Sequence, residues 1–105
     1  MRTSELSGAA LDWAVAKAGG TTNIDFVWEL MKGKFNPSTD WAQGGAIIER
    51  EKIATRFDLE EQEWQATIAA EDEWVYGWGT TPLIAAMRCY VASKLGDEVQ
   101  IPEGL

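Results

Sequence analysis

Three short runs of alternating apolar residues occupy the middle of the chain. Ile53, Thr55 and Phe57 alternate, then Trp64, Ala66, Ile68 and Ala70, then Trp74, Tyr76 and Trp78. A period of two marks a strand with one face in a core. The acidic stretches between the runs, 58–63 and 71–73, leave room only for short turns. Strands joined so closely run antiparallel, because parallel neighbours need a crossover of about a dozen residues. The spacing predicts a three-stranded meander with its two acidic turns at opposite ends of the sheet.

Helices are predicted before and after the meander. Ser7 suits an N-cap, with Leu6 and Leu11 as the hydrophobic staple around it. Residues 9–18 then place Leu11, Ala14, Val15 and Ala18 on one face, and Gly19-Gly20 supplies the stop. A second helix starts within "NPSTDWAQGGAIIER" (36–50) and runs to about Arg50. Either Pro37 occupies its first turn, or Asp40 caps a later start with Gln43 completing a capping box. Gly44 and Gly45 follow at once, each costing about 1 kcal/mol relative to Ala inside a helix. The third helix is the clearest: Thr81 caps it, Pro82 takes its first position, and Gly96 ends it. Leu83, Met87, Tyr90, Val91 and Leu95 form its apolar stripe.

Residues 22–32 fit a strand and a helix equally by period. Thr22 with Asp25, and Gly33 as a stop, favour a short helix. Val99 and Ile101 suggest a short final strand. The whole reads as α+β: one domain over 1–105, a small antiparallel sheet flanked by two to three helices, sandwich-like.

Composition removes much chemistry. The chain has no histidine, so the commonest general base and zinc ligand are missing. Cys89 is the only cysteine, so there is no intramolecular disulfide and no thiolate cluster. No metal site, cofactor or catalytic residue is expected. No apolar run approaches the ~20 residues that span a bilayer. The N-terminal stretch carries Glu5 and Asp12 and lacks a long apolar segment, so no signal peptide is expected. These features fit the cytoplasm. Of the net charge of −8, seven acids fall between Phe57 and Glu73, where there is no Lys or Arg. Such a chain is a poor binder of nucleic acid, whose affinity rests on phosphate neutralisation. The acidic cluster reads as solvated turns, or more sharply as a surface for a basic protein. Six tryptophans in 105 residues must anchor either a core or an interface.

Three stretches together resemble the NinX family of small proteins from lambdoid-type phages and prophages. They are "TSELSGAALDWAVAKA" (3–18), "STDWAQGGAIIEREKI" (38–53) and "TTPLIAAMRCYVASKLGDEVQIPE" (80–103). Residues 19–35 and 57–79 lie outside the likeness. The family is one of unassigned function, so the resemblance implies a phage or prophage setting in a bacterial host and no particular reaction. The order of "STDW", a Trp-containing strand and "TTPL" at a helix start is also similar to the small phage α/β/α sandwich domain. That similarity implies helices flanking a small antiparallel sheet and leaves open whether they cover one face or both.

Four groups of residues are candidates for a site. In "STDWAQGG", Ser38, Thr39, Asp40, Trp41, Gly44 and Gly45 could let a ligand or partner chain approach a helix start, or could simply cap and pack that helix. In "GWGTTP", Trp78, Gly79, Thr80 and Thr81 open a helix whose first turn has no acid, which suits an anion as well as an ordinary cap. The row Trp74, Tyr76 and Trp78 would grip a partner if exposed; the favoured expectation is a core beneath a helix. Asp40, Glu49, Arg50, Glu51, Arg88 and Cys89 read as ion pairs and packing rather than an acid–base pair with a nucleophile. The leading function is a non-enzymatic accessory protein binding a host or phage protein, with Arg88 beside the two helix starts in its surface. The alternative is a small-ligand or nucleotide-binding protein, even an enzyme, using the starts at 38–45 and 77–82 as one site. A homo-oligomer built on the Trp row is a third class.

Overall fold

The computed structural model describes residues 1–20 and 32–105. A single 3₁₀ turn, Thr3–Glu5, precedes helix α1, Gly8–Ala18. Helix α2 covers Trp41–Glu51, strands β1, β2 and β3 cover Ala54–Asp58, Glu63–Ala70 and Glu73–Gly79, and helix α3 covers Pro82–Leu95. The strands form one antiparallel sheet in the order β1-β2-β3, the expected meander. The molecule is α+β. The short helix expected over 22–32 falls outside the described residues, apart from Lys32 in a turn.

The caps act largely as the sequence implies. Leu6 and Leu11 are both fully buried around Ser7, which holds the N-cap position but whose side chain makes no capping hydrogen bond. Ala42 N–H donates to Asp40 Oδ1 at 3.3 Å, and Ile84 N–H donates to Thr81 Oγ1 at 3.1 Å. Pro37 lies in the turn before α2, so Asp40 is the true cap. The capping box is not formed. Asp40 N–H donates to the Asn36 carbonyl instead, at 2.9 Å. Gln43 turns back to the loop: its Oε1 accepts from Asn36 N–H, and its Nε2 donates to Lys34 O and Asn36 Oδ1, all within 2.9 Å. A side chain that meets three loop groups outcompetes a single backbone N–H.

Helix α3 is the centre of the fold. It lies along β3 and β2, reaches β1, and carries both α1 and α2 on its remaining sides. Its buried residues cover most of its circumference: Leu83, Ala85, Ala86, Met87, Cys89, Tyr90 and Val91, with Ile84, Arg88 and Ala92 half-buried on the remaining face. The expected stripe omitted Ala85 and Cys89, which face the sheet. There, β3 offers Gly77 and Gly79 to the helix backbone. A Cβ on Gly77 would overlap the Ala85 carbonyl oxygen and lie 2.5 Å from Cys89 N. One on Gly79 would lie 2.7 Å from the Ile84 side chain. Ala66 of β2, fully buried, extends the same small-residue seat. Cys89 is buried in it and its thiol donates to Val75 O at 3.2 Å.

The register decides which face is covered. A two-residue turn, Glu71-Asp72, pairs Ala70 with Glu73, Ile68 with Val75 and Ala66 with Gly77. Residues directly opposite share a face. Val75, Gly77 and Gly79 therefore lie inward with Trp64, Ala66 and Ile68, whereas Trp74, Tyr76 and Trp78 point to the other face. The expectation of an aromatic row buried beneath a helix is overturned: Trp74 is 64% exposed and Tyr76 53%. Strand glycines mark a close backbone approach, and that signal outranks aromatic character here. On the outer face of β1, Arg56 reaches across to Gln65 Oε1 at 2.9 Å. Inward, the rings of Phe57 and Trp64 meet edge to face, 5.5 Å apart.

The expected final strand through Val99 and Ile101 reduces to a bridge between Arg2 and Glu98. Val99 N–H donates to Met1 O at 2.9 Å and Thr3 Oγ1 donates to Gly96 O at 2.7 Å, closing the two end segments over α3.

Gly77→Ala tests the central contact. Neither clashing group is the flexible end of a side chain, so helix and strand must separate. A loss of roughly 3 kcal/mol or more is expected by urea denaturation, at the upper end of overpacking costs.

Candidate functional site

The two helix starts singled out in the sequence do come together. A Cβ on Gly44 would overlap the Pro37 carbonyl oxygen and lie 2.5 Å from Leu83 Cδ2, so α2 is pressed against the first turn of α3. The space between the starts is filled by these groups. Gly45 differs: the nearest atom to a Cβ there is Trp41 Cε3 at 3.8 Å. The adjacent glycines thus have separate explanations. Gly44 is required by packing, and nothing in the structure explains Gly45.

Ser38 anchors this corner from below. It is buried, and its N–H donates to Oδ1 of Asp12, itself buried on α1, at 2.9 Å. Burial pushes the Asp12 carboxyl above its ordinary value of 3.8, and the contact with Ser38 opposes part of that rise. The Ser38 hydroxyl is enclosed and has no hydrogen-bond partner among the described residues. No spacing rule links positions so far apart, so Asp12 was not readable as a partner of the turn. Thr39 is exposed, and Trp41 stands 58% exposed at the start of α2.

In "GWGTTP" the glycines serve the α3 seat, Thr81 caps the helix and Thr80 is exposed. Trp78 is half-buried on the outer face. Arg88 is a tie: Nε donates to Leu6 O and Nη1 to Trp78 O, both at 2.8 Å. It joins the N-terminal segment to the end of β3, and desolvation lowers its pKa. Arg88 and Trp78 line a cleft of about 200 Å³ with Arg2, Tyr76, Asp97 and Glu98.

The polar group disperses. Arg50 pairs with its neighbour Glu51 at 2.8 Å and its Nη2 donates to Tyr90 OH at 3.3 Å, so it serves the α2–α3 junction. Burial pushes the Cys89 thiol up to about 12, which leaves it protonated at neutral pH and a poor nucleophile. Among the described residues, no group of three or more His, Cys, Asp or Glu is placed to hold a metal ion. Among them, too, no helix is long and apolar enough to cross a membrane.

What remains unaccounted for is the outer face of the sheet. In antiparallel sheets with one solvated face, that face is normally polar. Here it carries Trp74 and Tyr76 beside the small side chains of Ala69 and Thr67, their register partners. Acidic residues border both ends, at 58–63 and 71–73. These features define a small α+β domain with helices on one side of its sheet and an aromatic surface on the other. The family described as "Bacteriophage P22, NinX" matches residues 2–94, and the chain belongs to that family. A search of curated proteins gives no match.

Two measurements check the buried corner. Gly44→Ala is expected to destabilise by roughly 2–3 kcal/mol through overpacking, while Gly45→Ala stabilises by up to about 1 kcal/mol through helix propensity. Equal effects in thermal denaturation would contradict the geometry. Asp12→Asn probes the buried charge. Between 3.8 and its raised folded value, Asp12 holds a proton that the unfolded chain has released, so stability falls as pH rises through that window. The Asn variant keeps an acceptor for Ser38 N–H and lacks this fall. Its stability relative to the parent is expected to rise from about pH 3 to neutral pH, read by denaturation at each pH.

Proposed function

We propose that this phage protein is a non-enzymatic accessory factor that binds a protein of the host or of the phage through the open face of its sheet. The observation that carries the reading is the exposure of Trp74 and Tyr76 on a strand whose other face seats α3 at Gly77 and Gly79. Aromatic side chains are the residue types most enriched among interface hot spots. Their exposure costs solvation and gives no internal packing in return. The setting is the bacterial cytoplasm, in keeping with a phage family and a lone buried thiol. The absence of histidine supports a binding role over catalysis.

The test is affinity capture from host lysate with the parent chain and with a Trp74→Ala/Tyr76→Ala variant. Both side chains point to solvent, so the variant is expected to keep its melting temperature. Loss of the captured partner, or weakening by about tenfold or more, is expected from truncating two central aromatics. Capture of the same proteins by both chains would remove the face from consideration.

A further inference from the structure

We infer that the occupant of the open face is a cationic protein segment whose basic side chains reach both acidic turns at once. This inference rests on the reading of that face as a protein-binding surface. It starts from the distribution of charge about the sheet. The β2–β3 turn carries Glu71 and Asp72, and Glu73, which opens β3 before Trp74, pairs with Ala70 on the helix side. At the far end, the register sets Asp58 opposite Glu63, a like-charged pair side by side on the open face. Such pairs destabilise a sheet. Asp58 has a local reason to be there, since Oδ1 accepts from Glu60 and Glu61 N–H within 3.0 Å and shapes the turn. Glu63 makes no described hydrogen bond or ion pair of that kind, and its charge acts on the Arg88 guanidinium.

Neutralisation from within is partial: Arg2 and Arg88 line a cleft with Tyr76 and Trp78, and the Arg88 guanidinium feels the charge of Glu63. Arg56 is the base on the outer face of the strands, and it is already engaged by Gln65 and by Asp58 at 3.7 Å. Lys94 of α3 lines a cleft together with Glu71, Asp72 and Glu73, so part of that acidic end faces a base on the helix side. An incoming cation therefore meets two acidic ends only partly offset by Arg56, Arg88 and Lys94, with an aromatic ridge between them. Lys and Arg are attracted to the faces of Trp and Tyr rings as well as to carboxylates, so one chemistry suits both parts of the surface.

The same charges disfavour a second copy of this chain. Because the acidic turns lie at opposite ends of the sheet, aligning two open faces in either sense sets acid against acid, on chains that each carry −8. The distance between the ends follows from strand length. The seven residues of β3 span about 23 Å at 3.3 Å per residue. A partner segment in extended form covers this with basic groups about seven residues apart, laying apolar or basic side chains on Trp74 and Tyr76 between them.

The experiment uses the whole chain and a synthetic peptide of about ten residues, free of Trp and Tyr, with an Arg pair at each end and alternating Val and Thr between. Binding is read by the Trp fluorescence of the protein and by calorimetry. The peptide is expected to bind and its counterpart with Glu in place of Arg is not. Glu71→Gln/Asp72→Asn/Glu73→Gln and Glu60→Gln/Glu61→Gln/Glu63→Gln are each expected to weaken binding about fivefold or more, and about tenfold higher salt to do the same. Trp74→Ala/Tyr76→Ala is expected to weaken it about tenfold. Equal affinity for the Arg and Glu peptides overturns the inference. So does binding that ignores the aromatic variant, since that is charge attraction without the face. Sedimentation showing a dimer of the parent chain that the aromatic variant abolishes assigns the face to a second copy and overturns it too. Lysate capture separates the two levels. Partners lost with the aromatic variant but kept by both neutralised variants leave the protein-binding face standing and refute the cationic occupant. Partners kept by all variants refute the face itself.

Discussion

The contact on which this structure depends is the seating of α3 on Gly77 and Gly79. Helix backbone meets strand backbone with no side chain between them on the strand side. The distance from helix to sheet is set by that seat, and every other element takes its place from α3. Helices α1 and α2 pack on the sides that the sheet leaves free, and Arg88 ties the N-terminal segment to the end of β3. A helix surrounded in this way has only a narrow half-buried face, through Ile84, Arg88 and Ala92, which is why its buried residues cover most of its circumference. The second glycine contact, Gly44 against Leu83 and Pro37, repeats the device where α2 crosses the start of α3.

The same seat determines the character of the open face. A strand shows alternate residues to its two sides, so placing glycines inward places Trp74, Tyr76 and Trp78 outward. Nothing on the helical side can use those rings. The surface and the core are thus two consequences of one register, set by a turn of two residues. The buried Asp12–Ser38 contact lies elsewhere, beneath the turn that leads into α2, and serves to hold that turn to α1.

Much of this arrangement was legible. The three strands, the turns between them, the Thr81–Pro82 start and the Asp40 cap follow from local chemistry that a short window contains. The face of β3 was misread because alternation states a period and not a side. Aromatic residues suit a core and an interface alike, and only the glycines at 77 and 79 tell which row the helix occupies. Gln43 was misread for a related reason: the capping-box spacing was present, but a nearby loop offered it more partners. Asp12 with Ser38, and Arg88 with Leu6 and Trp78, join segments far apart in the chain. No single sequence announces such pairs. The aromatic face itself was visible as a row of three residues, though not as a surface.

The central position of α3 bears on how the chain acquires its structure. Of the described helices and strands, α3 is the last in sequence. The β-hairpins can form early and locally, but a hairpin alone is at best marginally stable in water. Until α3 arrives, the sheet has apolar groups on both faces and α1 has nothing to cover. During synthesis the earlier elements therefore wait for the later one, and folding becomes a single late, cooperative closure rather than a stepwise accretion from the N-terminus. A nascent chain in that interval exposes strand edges and tryptophans together. Charged turns flanking such strands would oppose contact between unfinished copies.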